Sequence, residues 1–109
     1  MPTPHDFFAI DLRIGTVVAA EPFPGARKPA IRLEIDFGAE LGRRRSSAQI
    51  TDHYAPEQLV GRQVVAVMNI GARRIAGFTS EVLVLGGMTN DGVVLLAPDA
   101  RVADGTRIG

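Results

Sequence analysis

A chain of 109 residues has room for one domain and one modest core, and excludes a second independent domain. Hydrophobic residues make up 46% and charged residues 22%, an ordinary globular balance, and no apolar run reaches the roughly 18 to 20 residues that span a bilayer. Twelve basic residues balance twelve acidic ones, so no overall field draws the chain to nucleic acid.

The opening, Met-Pro-Thr-Pro-His-Asp, has neither the basic nor the apolar region of a signal peptide. With no cysteine there are no disulfide staples or thiolate metal sites, and a cytoplasmic location without membrane insertion is the expectation. Thr3 can cap a helix and Pro4 is pre-set for its first position, which predicts little more than one helical turn through Phe8. Leu12, Ile14, Thr16 and Val18 then alternate along a first strand ended by Pro22-Phe23-Pro24-Gly25. In the second strand Ile31, Leu33, Ile35 and Phe37 take one face, and Arg32, Glu34 and Asp36 the other. That is the period-2 pattern of a sheet with one wet side. Gly42 to Arg45 reads as a basic turn or bulge, leading into a third strand, Ser46 to Ile50, of small residues suited to close packing. A short helix around Ala55-Pro56-Glu57-Gln58-Leu59 follows, with Thr51 or Asp52 as its cap and Gly61 as its stop.

Two apolar runs, Gln63 to Met68 and Val82 to Leu85, read as the fourth and fifth strands. The glycine-bounded stretch between them carries Arg73 and Arg74. Adjacent side chains of an extended segment point to opposite sides, so both cannot be buried, and an unpaired buried guanidinium is very costly. Both therefore face water or a partner. Val93 to Leu96 gives a last β run after the Asn90-Asp91-Gly92 turn, and the tail from Pro98 to Gly109 carries further turn signals.

Short strands, a helix between strands three and four, and short terminal extensions predict an all-β fold over residues 1–109. The expected architecture is a five-stranded oligonucleotide/oligosaccharide-binding barrel, the OB-fold. Binding in that fold concentrates on strands two and three and on the loops joining strands one to two and four to five. Here those loops carry Arg27 with Lys28, and Arg73 with Arg74, so two basic loops converge on one face. Residues 27 to 45 hold six cations against three carboxylates, and eleven of the twelve cations are arginine, whose planar fork pairs with phosphate or carboxylate.

The loop arginines suit phosphate, or the carboxylates and carbonyls of a peptide, against the plainer alternative of solvated surface pairs. Phe23 and Phe78 lie in the same loops, where a ring either stacks on a base, anchors a peptide or caps the core. Arg43-Arg44-Arg45 reads as a solvated turn. Phe7, Phe8 and Ile10, with Val102 and Ile108, are too apolar for free termini and predict packing across a homodimer two-fold, packing on their own barrel being the alternative. No catalytic group, metal site or cofactor is nominated: His5 and His53 lack a partner cluster, and no metal-ligand spacing or nucleophile elbow occurs. Gly71 to Gly77 also misses the phosphate-loop spacing, with Phe78 where lysine would stand.

Five segments in order carry a resemblance over nearly the whole chain. They include Asp11 to Val18, Phe23 to Ala30, Ser46 to Thr51 and Arg73 to Gly86. Together they resemble the EMAP-II-like tRNA-binding domains, and within that family its small stand-alone chaperones. The resemblance implies a homodimeric OB-fold protein, not an enzyme, that binds unfolded or export-destined polypeptide and works with the SecA preprotein translocase in secretion. It implies tRNA as the alternative partner. Matched positions add Asn69, Ser80 and Glu81, at strand ends, to Phe23, Arg27, Lys28, Arg73, Arg74 and Phe78 as binding residues. A carboxylate at Glu81 repels phosphate, which favours a peptide or a ribose hydroxyl there. The chain departs from the family at Asn69-Ile70-Gly71-Ala72, where an Asn-Phe-Pro-Pro-like segment is usual, so the start of that loop is expected to be looser.

Overall fold

The structure, a computed structural model, describes residues 1–109. In chain order the elements are α1 (Pro4–Phe8), β1 (Leu12–Pro22), β2 (Ile31–Asp36), β3 (Arg43–Ala48), α2 (Pro56–Leu59), β4 (Gln63–Val67), β5 (Arg73–Ile75), β6 (Phe78–Ser80), β7 (Leu83–Val84), β8 (Gly86–Thr89) and β9 (Gly92–Leu95). Five strands form one antiparallel sheet in the order β3-β2-β1-β4-β7, and two hairpins, β5-β6 and β8-β9, stand beside it. α2 lies between β3 and β4, as the OB-fold expectation required.

Closure of the barrel falls to β3 and the segment from Ser80 to Val82. The Glu81 N–H donates to the Arg45 carbonyl at 2.8 Å. The other bonds come from side chains. The Arg45 N–H donates to Glu81 Oε1 (3.1 Å), the Ser47 N–H to Ser80 Oγ (3.0 Å), and the Ser46 hydroxyl to the Val82 carbonyl (2.9 Å). Side-chain oxygens of Glu81 and Ser80 here serve backbone donors that a strand ladder would otherwise serve, and the buried Val82 carbonyl takes its donor from Ser46.

Alternation along β2 sets the core. Ile31, Leu33, Ile35 and Phe37 all point inward and pack with Val17, Ile50, Leu59, Val64, Ala66, Met68 and Val82. Gly15 leaves room for them, since a Cβ there would lie 2.7 Å from both Ile35 and Phe37. β1 departs from the simple alternation read from its sequence. Val17 faces Ile35 and Ala19 faces Glu34, which leaves Val18 as the extra residue of a β-bulge. Val17 therefore enters the core, while Thr16 turns out to donate to Asp104 Oδ1 at 2.6 Å.

The first half of β1 lacks β2 as a neighbour, because that pairing begins at Thr16. The tail fills this edge. Gly105 donates to the Ile14 carbonyl (2.7 Å), Ile14 to Thr106 (2.9 Å) and Ile108 to Leu12 (2.9 Å). Covering the edge removes a row of unpaired backbone groups that would invite pairing with another chain. The remaining corrections are local. Arg43 to Arg45 belong to a strand rather than a turn. The cap of α2 is Ala55, whose N–H donates to Gln58 Oε1 at 2.9 Å, and not Thr51 or Asp52. Thr3 does cap α1, reciprocally with Asp6.

Candidate functional site

The stretch between β4 and β7, read from sequence as a loop, contains a tight hairpin. β5 and β6 meet at Ala76-Gly77, both at positive φ (46° and 81°), the backbone of a two-residue primed turn. Its register sets Arg73 opposite Ser80, Arg74 opposite Thr79 and Ile75 opposite Phe78. Two-residue alternation then separates the arginines as expected: Arg73 shares a face with Ile75 and Phe78, and Arg74 lies on the other, donating to Thr79 Oγ1 at 3.2 Å.

Phe78 packs inward against Phe23, Ala30 and the partly buried Ala26 and Ile75. The two rings meet edge-on, 5.4 Å between centroids at 62°, and are only 5% and 8% exposed. Arg32 from β2 covers them, 5.3 Å from the centre of Phe23 and 5.7 Å from that of Phe78, and Arg45 from β3 lies 4.8 Å over Phe78. The buried Arg32 Nε has no hydrogen-bond acceptor, and the electron-rich ring faces stand in for one. Arg32 is anchored by Glu21 at 2.7 Å. These rings occupy the core-capping position and tie the two loops together, and neither presents an open face.

Beside this cluster lies a groove of about 570 Å³. Ala48, Ile50, Leu83, Leu85 and Val93 give it an apolar floor, and Met88, 91% exposed, stands at its mouth. Arg27, Lys28 and Arg73 form the rim. The three ion pairs of the molecule, Arg13–Asp11, Arg32–Glu21 and Arg43–Glu34, involve none of these cations, and no carboxylate lines the groove. A chain of zero net charge thus gathers three cations without carboxylate partners at this groove.

Of the residues expected from sequence, Arg27, Lys28 and Arg73 converge on the groove, and Arg74 faces away from them. Phe23 and Phe78 lie beneath, and Ser80 and Glu81 sit in the barrel seam. Asn69 brackets the end of β4 to the residues after α1, donating to the Ala9 carbonyl at 2.8 Å and accepting from the Asp11 N–H at 2.9 Å. Phe7, Phe8, Ile10 and Val102 are exposed, and Ile108 is half-buried. Sequence reasoning put the binding face on strands two and three, and Ala48 and Ile50 at the end of strand three do line the groove, but it missed Leu83, Leu85, Met88 and Val93. Leu83 was detectable, since alternation from the buried Val82 turns it outward, whereas Met88 follows two glycines that carry no periodic signal.

A closed OB barrel with a basic-rimmed apolar groove defines a small binding module of the OB class. The model of the tRNA-binding domain family matches residues 12–107. Among solved structures the chain is similar to the chaperone CsaA of Bacillus anthracis str. Ames, 58% identical with a TM-score of 0.93, over 100% of this chain and 99% of that one. It is likewise similar to the CsaA chaperone protein of Picrophilus torridus, 45% identical with a TM-score of 0.94, over 100% of both chains. Among curated proteins it is 40% identical over 105 residues to the methionine–tRNA ligase of Porphyromonas gingivalis, covering 95% of this chain and 15% of that enzyme. The chain belongs to the tRNA-binding domain family and is of the CsaA type.

Proposed function

We propose that the chain is a CsaA-like chaperone whose groove holds extended segments of unfolded or export-destined polypeptide, weakly and reversibly. The observation that carries this reading is the make-up of the groove: ten of its sixteen lining residues are apolar and none is aromatic. Single-stranded RNA on an OB face relies on exposed rings for stacking, and here the candidate rings, Phe23 and Phe78, are buried under Arg32 and Arg45. Apolar side chains of a client would enter the floor, and the rim guanidiniums would bond its carbonyls or carboxylates. β5 pairs only with β6, so its other edge is open for backbone hydrogen bonds to an added strand.

Exposed Phe7, Phe8, Ile10 and Val102, with Ile108, form the homodimer face in this reading. Two grooves on one dimer would raise the effective concentration of a client long enough to reach both. Cytoplasmic residence and handover to the SecA translocase rest on the resemblance to the chaperone branch.

A specific observation also favours tRNA: three unpaired rim cations, in a family whose model is that of a tRNA-binding domain. The experiment measures unfolded polypeptide and tRNA side by side on Leu83→Asp with Met88→Asp, and on Arg27→Glu with Arg73→Glu. The floor variant is expected to weaken polypeptide binding by about tenfold or more, as losing two buried apolar contacts should. Polypeptide binding unchanged by the floor variant would sink the chaperone reading. Phosphate-driven binding through about three contacts should fall by about 10- to 100-fold between about 50 and about 200 mM salt. Tight tRNA binding that survives the higher salt and is lost in the arginine variant would put the tRNA reading first.

A further inference from the structure

A second concavity, of about 250 Å³, shares no residue with the groove. Arg62, just before β4, and Arg101, in the tail, line it together with Gln63, and Leu95, Ala97 and Pro98 make an apolar wall. Both guanidiniums are held in place. Arg62 Nε donates to the Gln58 carbonyl at 3.1 Å, and the group lies 5.5 Å over the ring of Tyr54. Arg101 Nη1 donates to the Gly61 carbonyl at 3.1 Å, and Nη2 to Thr16 Oγ1 at 3.3 Å.

These bonds use one and two of the five donors on the respective forks, and neither arginine has an ion-pair partner. Two cations fixed at one cavity repel each other, and an anion between them turns that repulsion into attraction. Gln63 is already committed. It donates to the Val102 carbonyl (2.7 Å) and to Asp104 (3.2 Å), and accepts from the Val102 N–H (3.1 Å), so it positions the tail instead of offering a donor. Asp104 also accepts from Thr16, the hydroxyl that receives Arg101, and so offsets one positive charge from behind. Two cations against one carboxylate leave about one charge to neutralise, which matches a monoanion better than a doubly charged phosphate.

We infer that this cavity binds a monocarboxylate bearing a short apolar group, with Arg62 and Arg101 on the carboxylate and Leu95, Ala97 and Pro98 around the apolar part. Its volume lies below the roughly 300 Å³ at which drug-sized pockets begin, so the ligand is small: an acyl amino acid, or the last residue of a polypeptide, which presents the same chemistry.

The test is an amide-resolved NMR titration with N-acetyl-leucine, its primary amide and inorganic phosphate, on the parent protein, Arg62→Gln and Arg101→Gln. The acid should give saturable shifts at Gln63, Leu95 and Arg101, the amide none, and each variant should weaken binding by about tenfold. If Arg101→Gln loses the fold, Arg62→Gln carries the comparison by itself, since it gives up a single hydrogen bond and one ring contact. A leucine-terminated peptide that competes would identify a polypeptide C-terminus as the source, and one that fails to compete would identify a free acid. No saturable response, an equal response to the amide, phosphate binding as tightly as the acid, or unchanged binding in both variants would overturn the assignment.

Discussion

Ala76 is the one residue other than glycine with a positive φ, at 46°, where an L side chain crowds its own backbone. It holds the first place of a turn that favours Asn-Gly. Ala76→Asn should therefore stabilise the protein by about 0.5–1 kcal/mol, read as a higher urea midpoint with unchanged slope. Gly15 shows the opposite constraint. A methyl there would meet Ile35 and Phe37 at 2.7 Å, and Gly15→Ala should cost about 1–3 kcal/mol in the same experiment. Residue chemistry was legible at the rim: Arg27, Lys28 and Arg73 were nominated from sequence and meet at one groove. Direction was less legible. Phe23 and Phe78 lie in the loops where ligand contacts were expected, but pointing inward or outward depends on a hairpin register that propensity does not encode.

At the scale of elements, strands with clean alternation or continuous apolar runs were read from sequence, β2 above all. The start of β3 was not, since three consecutive arginines look the same at any period. They sit in a strand because Arg43 pairs with Glu34 at 3.3 Å, Arg44 reaches the Leu41 carbonyl and Arg45 stacks on Phe78, all long-range or backbone partners. β8 was missed because Gly86 and Gly87 carry no side chain to pattern. The seam between β3 and residues 80–82 is likewise invisible without the fold. Ser46→Ala would leave the buried Val82 carbonyl without its donor, and should cost about 1–3 kcal/mol in denaturant unfolding. Ser80→Ala should leave the core intact but hasten hydrogen exchange at the Ser47 amide.

For the whole molecule, composition promised neutrality, and the fold concentrates unpaired cations where an apolar floor lies open. Apolar residues that composition could not locate are left outside, at Phe7, Phe8 and Ile10. If they close a two-fold, Phe8→Asp should halve the mass seen by light scattering; an unchanged dimeric mass would place the interface elsewhere, and a monomeric parent would remove the homodimer from the proposed function. The side-chain seam has a further consequence, for time rather than stability. Its Ser46–Val82 link is a single side-chain bond that needs both β3 and the segment after β6 already in place, so the seam should close late, after the folding barrier is crossed. Ser46→Ala should then shorten the lifetime of the native barrel several-fold in stopped-flow unfolding while leaving the refolding rate nearly unchanged. A barrel of this build would owe the persistence of its shape to side-chain hydroxyls and a carboxylate, and that persistence could be altered by mutation without touching the rate at which the chain folds.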